Sequence, residues 1–148
     1  MNIIVCLEDK NGMMFNKRRL SQDKVIREDI YNNMDGKSLV MNSYSFKMFE
    51  KDNPTIDIIV REDLPLCDKD NLQFIEDKQL GKFESEIDKI IVYYWNRRYP
   101  SDLKFDIDFS DGNWEVISEE EFCGNSHEKI TKKIILKIFI ICKFRFKD

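Results

Sequence analysis

Apolar residues along this chain fall into short runs whose spacing switches between that of strands and that of helices. Asn2 to Leu7 is a run of largely β-branched residues ended by Asp9-Lys10-Asn11-Gly12, which predicts a buried strand followed by a turn. From Ser21, a good N-capping residue type, Ile26, Ile30 and Met34 recur every fourth position. That spacing predicts a helix over 21–34 with one buried stripe, stopped by Asp35-Gly36. Lys37 to Met41 and Ile56 to Val60 read as strands flanking a helix from Ser43 to Lys51, which carries Tyr44, Phe46, Met48 and Phe49. Strand, helix, strand, helix, strand is the order of parallel pairing through crossover helices.

The pattern changes after Leu64-Pro65. Leu72 to Ile75 is a weak strand, Lys78 to Glu86 has no clear period, and Lys89 to Trp95 is the strongest strand of the chain. Asn113 to Phe122 and Lys129 to Ile141 follow as two strands joined through Gly124-Asn125-Ser126-His127, an antiparallel hairpin. The run from Ile134 to Lys147 is too short and too charged to span a membrane, and its alternation from Lys143 onward favours a strand. Residues 139–148 therefore read first as a basic extension of the last strand. Exchange with a second copy, giving a homodimer through that strand, and attachment to a membrane surface are the alternatives. With no repeat, linker or low-complexity segment, residues 1–148 are expected to form a single α/β domain with a mixed, mostly parallel central sheet and flanking helices.

Composition narrows the function classes. A hydrophobic content of 42% and a charged content of 35% fit a globular domain. Cys6, Cys67, Cys123 and Cys142 lie far apart, with no C-x-x-C pair and no signal peptide before Ile3, which argues for reduced thiols in a cytoplasm. Six Lys and one Arg against one Asp give residues 129–148 a charge of +6, leaving −10 on residues 1–128 of a chain whose total is −4. The acidic body argues against nucleic-acid binding, although the basic tail leaves it open. A single histidine, His127, and no compensating cysteine or EF-hand spacing argue against any metal site.

Several segments, taken in order, carry a resemblance. They are Ile3 to Asp9 with Asn11-Gly12; Leu20-Ser21-Gln22-Asp23; Lys37-Ser38-Leu39-Val40-Met41-Asn42-Ser43-Tyr44-Ser45-Phe46; Asp88 to Tyr93; Phe105-Asp106; Asn113 to Val116; and Glu120-Glu121-Phe122. Together they resemble dihydrofolate reductase over roughly two thirds of the chain. The likeness implies that family's fold, in reduced form. Two departures concern its cofactor. The family has a strand ending in Gly-Gly and then a helix before the strand matched by Lys89 to Trp95, whereas here only Leu80 to Glu86 occupies the interval and no Gly-Gly occurs. The family's Gly-Arg-x-Thr phosphate grip has become Asn42-Ser43-Tyr44-Ser45. No cofactor is expected, and NADPH-dependent reduction is not. Short chains similar to this one are sometimes named ribonuclease Z, but that enzyme needs a His-x-His-x-Asp-His cluster that one histidine cannot supply.

What remains is a fold expected to bind a small anionic or heterocyclic ligand, with a pterin or flavin-type reductase using Asp23 as the alternative. Positions 23, 26, 30 and 34 share one helical arc, so Asp23 heads the apolar stripe and points toward the sheet. The resemblance makes it the pterin-binding, proton-relaying carboxylate, with burial expected to raise its pKa; equally, it serves the helix dipole. Tyr93 falls near that acid, either bonded to it or filling the old pterin space. The resemblance also brings the loops holding Lys17-Arg18-Arg19 and Arg97-Arg98-Tyr99 together at the mouth of the site, giving Arg18, Arg19, Arg97 and Arg98 one anion-binding rim. Asn42, Ser43 and Ser45 complete the ligand-binding set. His127, in a turn similar to the family's Asn-Ser-His turn, is given no catalytic role.

Overall fold

The computed structural model describes residues 1–138; the expected strand extension over 139–148 lies outside them. In chain order the elements are β1 (Asn2–Leu7), β2 (Gly12–Phe15), β3 (Arg18–Arg19), α1 (Lys24–Asn32), β4 (Leu39–Met41), α2 (Ser43–Glu50), β5 (Ile58–Val60) and β6 (Leu72–Phe74). A single 3-10 segment (Gly81–Glu86), β7 (Lys89–Tyr94), β8 (Leu103–Lys104), β9 (Trp114–Phe122) and β10 (Ile130–Lys137) complete the described chain.

Seven strands form one sheet in the order β5-β4-β6-β1-β7-β10-β9. The first five are parallel, and β10 turns back antiparallel to both β7 and β9. The outcome is the expected α/β architecture with a mostly parallel mixed sheet. β1 is central because its residues are apolar on both faces, as a strand covered from two sides must be. Ile3, Val5 and Leu7 join Ile90, Val92 and Ile135 in a core closed by Leu80, Phe105 and Trp114. Ile4 faces the other way, with Ile91, Phe74 and Phe49, where Ile26, Ile30 and Met34 pack. The stripe read from the sequence is thus the buried one.

Two local outcomes differ from the sequence reading, and a third is not addressed by it. Helix α1 begins at Lys24, because Asp23 and not Ser21 takes the cap: Asp23 is extended (φ −150°, ψ 125°) and its side chain accepts from Val25 N. A second sheet, β3-β2-β8, lies in stretches read only as turn or loop; strands of two to four residues carry too few positions to show a period. Finally, β10 lies between β7 and β9, so the sheet edges belong to β5 and β9. The described part of the last strand therefore has both sides already paired.

Phe49 anchors the helical face of the core: it is fully buried and edge-on to Tyr31 and Phe74, at centroid distances of 6.0 and 4.9 Å. Phe49→Ala is expected to lower the unfolding free energy by about 3–5 kcal/mol, read from the urea midpoint at unchanged slope.

Candidate functional site

Three loops meet at one end of the sheet, and Asp23 is the atom-by-atom reason they meet there. Its Oδ1 accepts from Val25 N (2.9 Å) and Asn125 N (2.8 Å), and its Oδ2 accepts from Ser126 N (2.9 Å) and Ser126 Oγ (3.2 Å). His127 Nδ1 stands 3.0 Å from Oδ2. Five donors on one buried carboxylate stabilise its charged form, so its pKa falls to about 2 although burial alone would raise it. The upward shift expected from burial is corrected by these donors. Gly124 makes the approach possible, because a Cβ there would stand 2.5 Å from Asp23 Oδ2 and 2.9 Å from His127 O.

On its far side the His127 ring meets two hydroxyls, Ser21 Oγ at 3.1 Å and Tyr99 Oη at 3.0 Å from Nε2. Trp95 stacks on the ring at 4.6 Å. His127 is therefore a buried hub, a role the sequence reading did not give it; the signal was the Asn125-Ser126-His127 turn itself. Tyr93 is elsewhere: its buried hydroxyl donates to Asp29 Oδ2 at 2.6 Å, and Lys132 Nζ pairs with the same oxygen at 2.8 Å. The space beside Asp23, Ile26, Phe49, Phe74 and Trp95 shrinks to a void of about 10 Å³, which is room for one water at most.

The first turn of α2 brings Asn42, Ser43 and Ser45 together, but on carboxylates of the chain itself. Asn42 caps the helix through Ser45 N (2.8 Å) and donates to Asp77 (3.1 Å); Ser43 N donates to Glu62 (2.8 Å); Ser45 Oγ donates to Glu76 (2.7 Å). A helix N-terminus attracts anions, and here protein anions have filled it. Glu76 also takes Arg19 in a two-point pair at 2.9 and 3.0 Å, with the guanidinium 4.4 Å above the Tyr44 ring. Arg19 is thereby withdrawn from the expected rim. In chain order β6 precedes β7, with Ile75-Glu76-Asp77 directly after it and the 3-10 segment Gly81–Glu86 between the two strands.

The two basic loops do meet. Asn16 N donates to Asp102 (3.0 Å) and Asp102 N to Met14 O (3.0 Å), which holds 14–19 against 99–104. Tyr99 and Pro100 form a ridge between two clefts. One, of about 570 Å³, is lined by Glu8, Lys10, Arg98, Ser101 and Lys104 besides the ridge. The other, of about 360 Å³, is lined by Phe15, Asn16, Arg18, Arg19 and Leu20. Arg97 lies over Tyr99 (6.0 Å). Glu8 is buried and its carboxyl accepts from the N–H groups of Lys10, Gly12 and Tyr99; against its burial, these hold its pKa below the usual range. A third cleft, of about 600 Å³, lies beside Lys17, Tyr44, Asp77 and Asp102. Burial pushes the Cys6 thiol up, with Glu76 adding to the effect, so it is not a reactive thiolate. Among the described residues no three His, Cys, Asp or Glu side chains are grouped to hold a metal ion, and no helix is long and apolar enough to cross a membrane.

No protein-family model matches the chain, and no curated protein matches its sequence. Solved structures do: 232 chains match. One is dihydrofolate reductase from Enterococcus faecalis complexed with NADP(H) and RAB-propyl, at a TM-score of 0.61 and 10% identity, over 92% of this chain and 95% of that one. At that identity the likeness is one of fold.

Because the folded-state pKa of Asp23 is depressed, its contribution to stability is full above the unfolded pKa near 4. It is lost as pH falls toward about 2. We expect Asp23→Asn to lower stability at neutral pH by an amount on the order of 2 kcal/mol. The variant should also lose part of the fall in stability between pH 4 and 2, measured by urea unfolding across that range.

Proposed function

We propose that this dihydrofolate-reductase-like protein is a binding module without NADPH-dependent reductase activity, taking a small anionic ligand on the ridge of Tyr99 and Pro100. One observation carries the reading, the distribution of charge partners. Arg19, Arg27 and Arg61 pair with carboxylates, whereas Lys10, Arg18 and Arg98, which line the two ridge clefts, make no ion pair among the described residues, and Lys104 beside them acts on Glu8 at a distance and donates only to Lys10 O and Ser101 Oγ. Unpaired cations gathered from three segments repel one another, and an external anion offsets that repulsion.

The same bookkeeping of charge speaks against NADPH. Its phosphates would enter a helix N-terminus already holding Glu62, Glu76 and Asp77. A pterin reductase using Asp23 would need a proton there at neutral pH, and a carboxyl with a pKa of about 2 has none to relay. A second reading has one observation in its favour: the cleft of about 600 Å³ places two carboxylates, Asp77 and Asp102, against Lys17 beside the Tyr44 ring. That lining suits a neutral or cationic planar heterocycle. The described cysteines Cys6, Cys67 and Cys123 are free thiols, which supports a reducing, cytoplasmic setting.

Calorimetry at low salt tests the proposal. Pyrophosphate is expected to bind the parent protein and to lose about tenfold or more in affinity in Arg98→Ala/Lys104→Ala, since each charge-assisted contact is worth about 1.5–3 kcal/mol. Equal binding by both proteins would return these cations to ordinary solvated charge. NADPH titrated in parallel is expected to give no low-micromolar dissociation constant; finding one would revive the reductase.

A further inference from the structure

Ser21, His127 and Asp23 stand in a hydrogen-bonded line. Asp23 Oδ2 lies 3.0 Å from His127 Nδ1, and His127 Nε2 lies 3.1 Å from Ser21 Oγ. Asp23 is ionised, so it only accepts; Nδ1 must carry the proton, and in the neutral ring Nε2 is left as the acceptor facing Ser21 Oγ. Trp95 on the ring face and the Ser126 hydroxyl, 3.2 Å from Nδ1, hold the imidazole in that orientation. This is the order of roles in a nucleophile, base and orienting-acid array, which is recognised by geometry and not by fold.

Two further observations bear on whether the line does chemistry or only ties loops. Asp23 and His127 are buried, but Ser21, at the free end, is only half-buried. Ser21 itself lines the void of about 10 Å³, and Tyr99, whose hydroxyl stands 3.3 Å from Ser21 Oγ and 3.0 Å from His127 Nε2, lines the neighbouring cleft of about 360 Å³ together with Phe15, Arg18 and Leu20. The backbone N–H groups of Ser21 and Gln22 make no hydrogen bond among the described residues. In serine nucleophile sites the N–H of the nucleophile, or of the residue after it, is a usual donor to the oxyanion.

We infer that Ser21 is a nucleophile, with His127 as its base and Asp23 as the positioning residue, acting on an ester or thioester that carries a negative charge. The preference for a charged ester rests on the anion-binding reading of the ridge; the nucleophile itself does not. In the first step Ser21 Oγ bonds to the carbonyl carbon and its proton passes to His127 Nε2. The bond to the leaving oxygen or sulfur then breaks as that atom takes the same proton. Water, deprotonated in turn by Nε2, cleaves the acyl-Ser21, returning the serine and releasing the acid.

The test uses the full chain and a fluorophosphonate probe, in which attack by a serine oxygen forms an O–P bond and expels fluoride. Mass spectrometry is expected to show one adduct, mapped to Ser21. Ser21→Ala should lose it while keeping the parent's circular dichroism spectrum, and His127→Gln, if folded, should slow labelling at least tenfold. A folded parent protein that takes no label, an adduct on Tyr99, or undiminished labelling in Ser21→Ala would each overturn the inference and leave the line a structural tie. Chromogenic esters with neutral and carboxylate-bearing acyl groups separate the two readings. Faster acylation of Ser21 by the charged ester supports both. Equal rates keep the nucleophile and remove the ridge's part in it.

Discussion

Everything at the functional end of this molecule hangs on one buried carboxylate. Asp23 starts α1, yet four of its five donors come from residues 125–127, about a hundred positions later in sequence. Capping the helix and closing the β9–β10 turn are therefore one event. A carboxylate accepting several N–H bonds tolerates burial that an unpaired one would not. Every donor it recruits fixes a loop: Val25 fixes the helix start, Ser126 and His127 the hairpin turn, and through His127 the hydroxyls of Ser21 and Tyr99. The ridge of Tyr99 and Pro100, with its unpaired cations, is presented to solvent by this tie.

At the start of α2 too, side chains of the chain itself meet. An α/β sheet offers ligands the space beyond its carboxyl edges, where helix N-termini point. Here Glu76 and Asp77 follow β6 into that space, and Glu62 follows β5. Arg19 lies over Tyr44 and against Glu76, and both Arg19 and Glu76 are largely out of water. A mostly buried two-point pair of this kind is costly to break, because removing either partner strands the other's charge. These carboxylates thus take the place at the helix N-terminus that an outside anion would otherwise occupy.

How much of this the sequence carried depends on the range of the interaction. The sheet and the buried stripe of α1 were legible because periodicity is local: Ile26, Ile30 and Met34 declare their face without reference to anything else. The cap was misplaced by two residues because Ser21 and Asp23 are both capping types, and the choice between them is made by Asn125 and Ser126 from across the molecule. Arg19 illustrates the same limit. In sequence it is one of three basic residues in a loop; in the fold its partner Glu76 is 57 positions away, and nothing near either residue marks the pair. The meeting of the two basic loops was visible only through the family resemblance, since β2, β3 and β8, which hold them, are too short to leave a pattern.

The direction of the Asp23 shift shows why position in a fold does not transmit chemistry. A carboxyl at the head of α1 facing apolar neighbours would be pushed up in pKa and could hold a proton at neutral pH. What decides the outcome is whether hydrogen-bond donors reach the oxygens, and a turn of Gly124, Asn125 and Ser126 packed against them reverses the sign. Gly124 is the permissive element, since any Cβ would push the turn off the acid. An ionised Asp23 cannot deliver a proton to a ligand. What it does is hold the His127 ring in place through Nδ1.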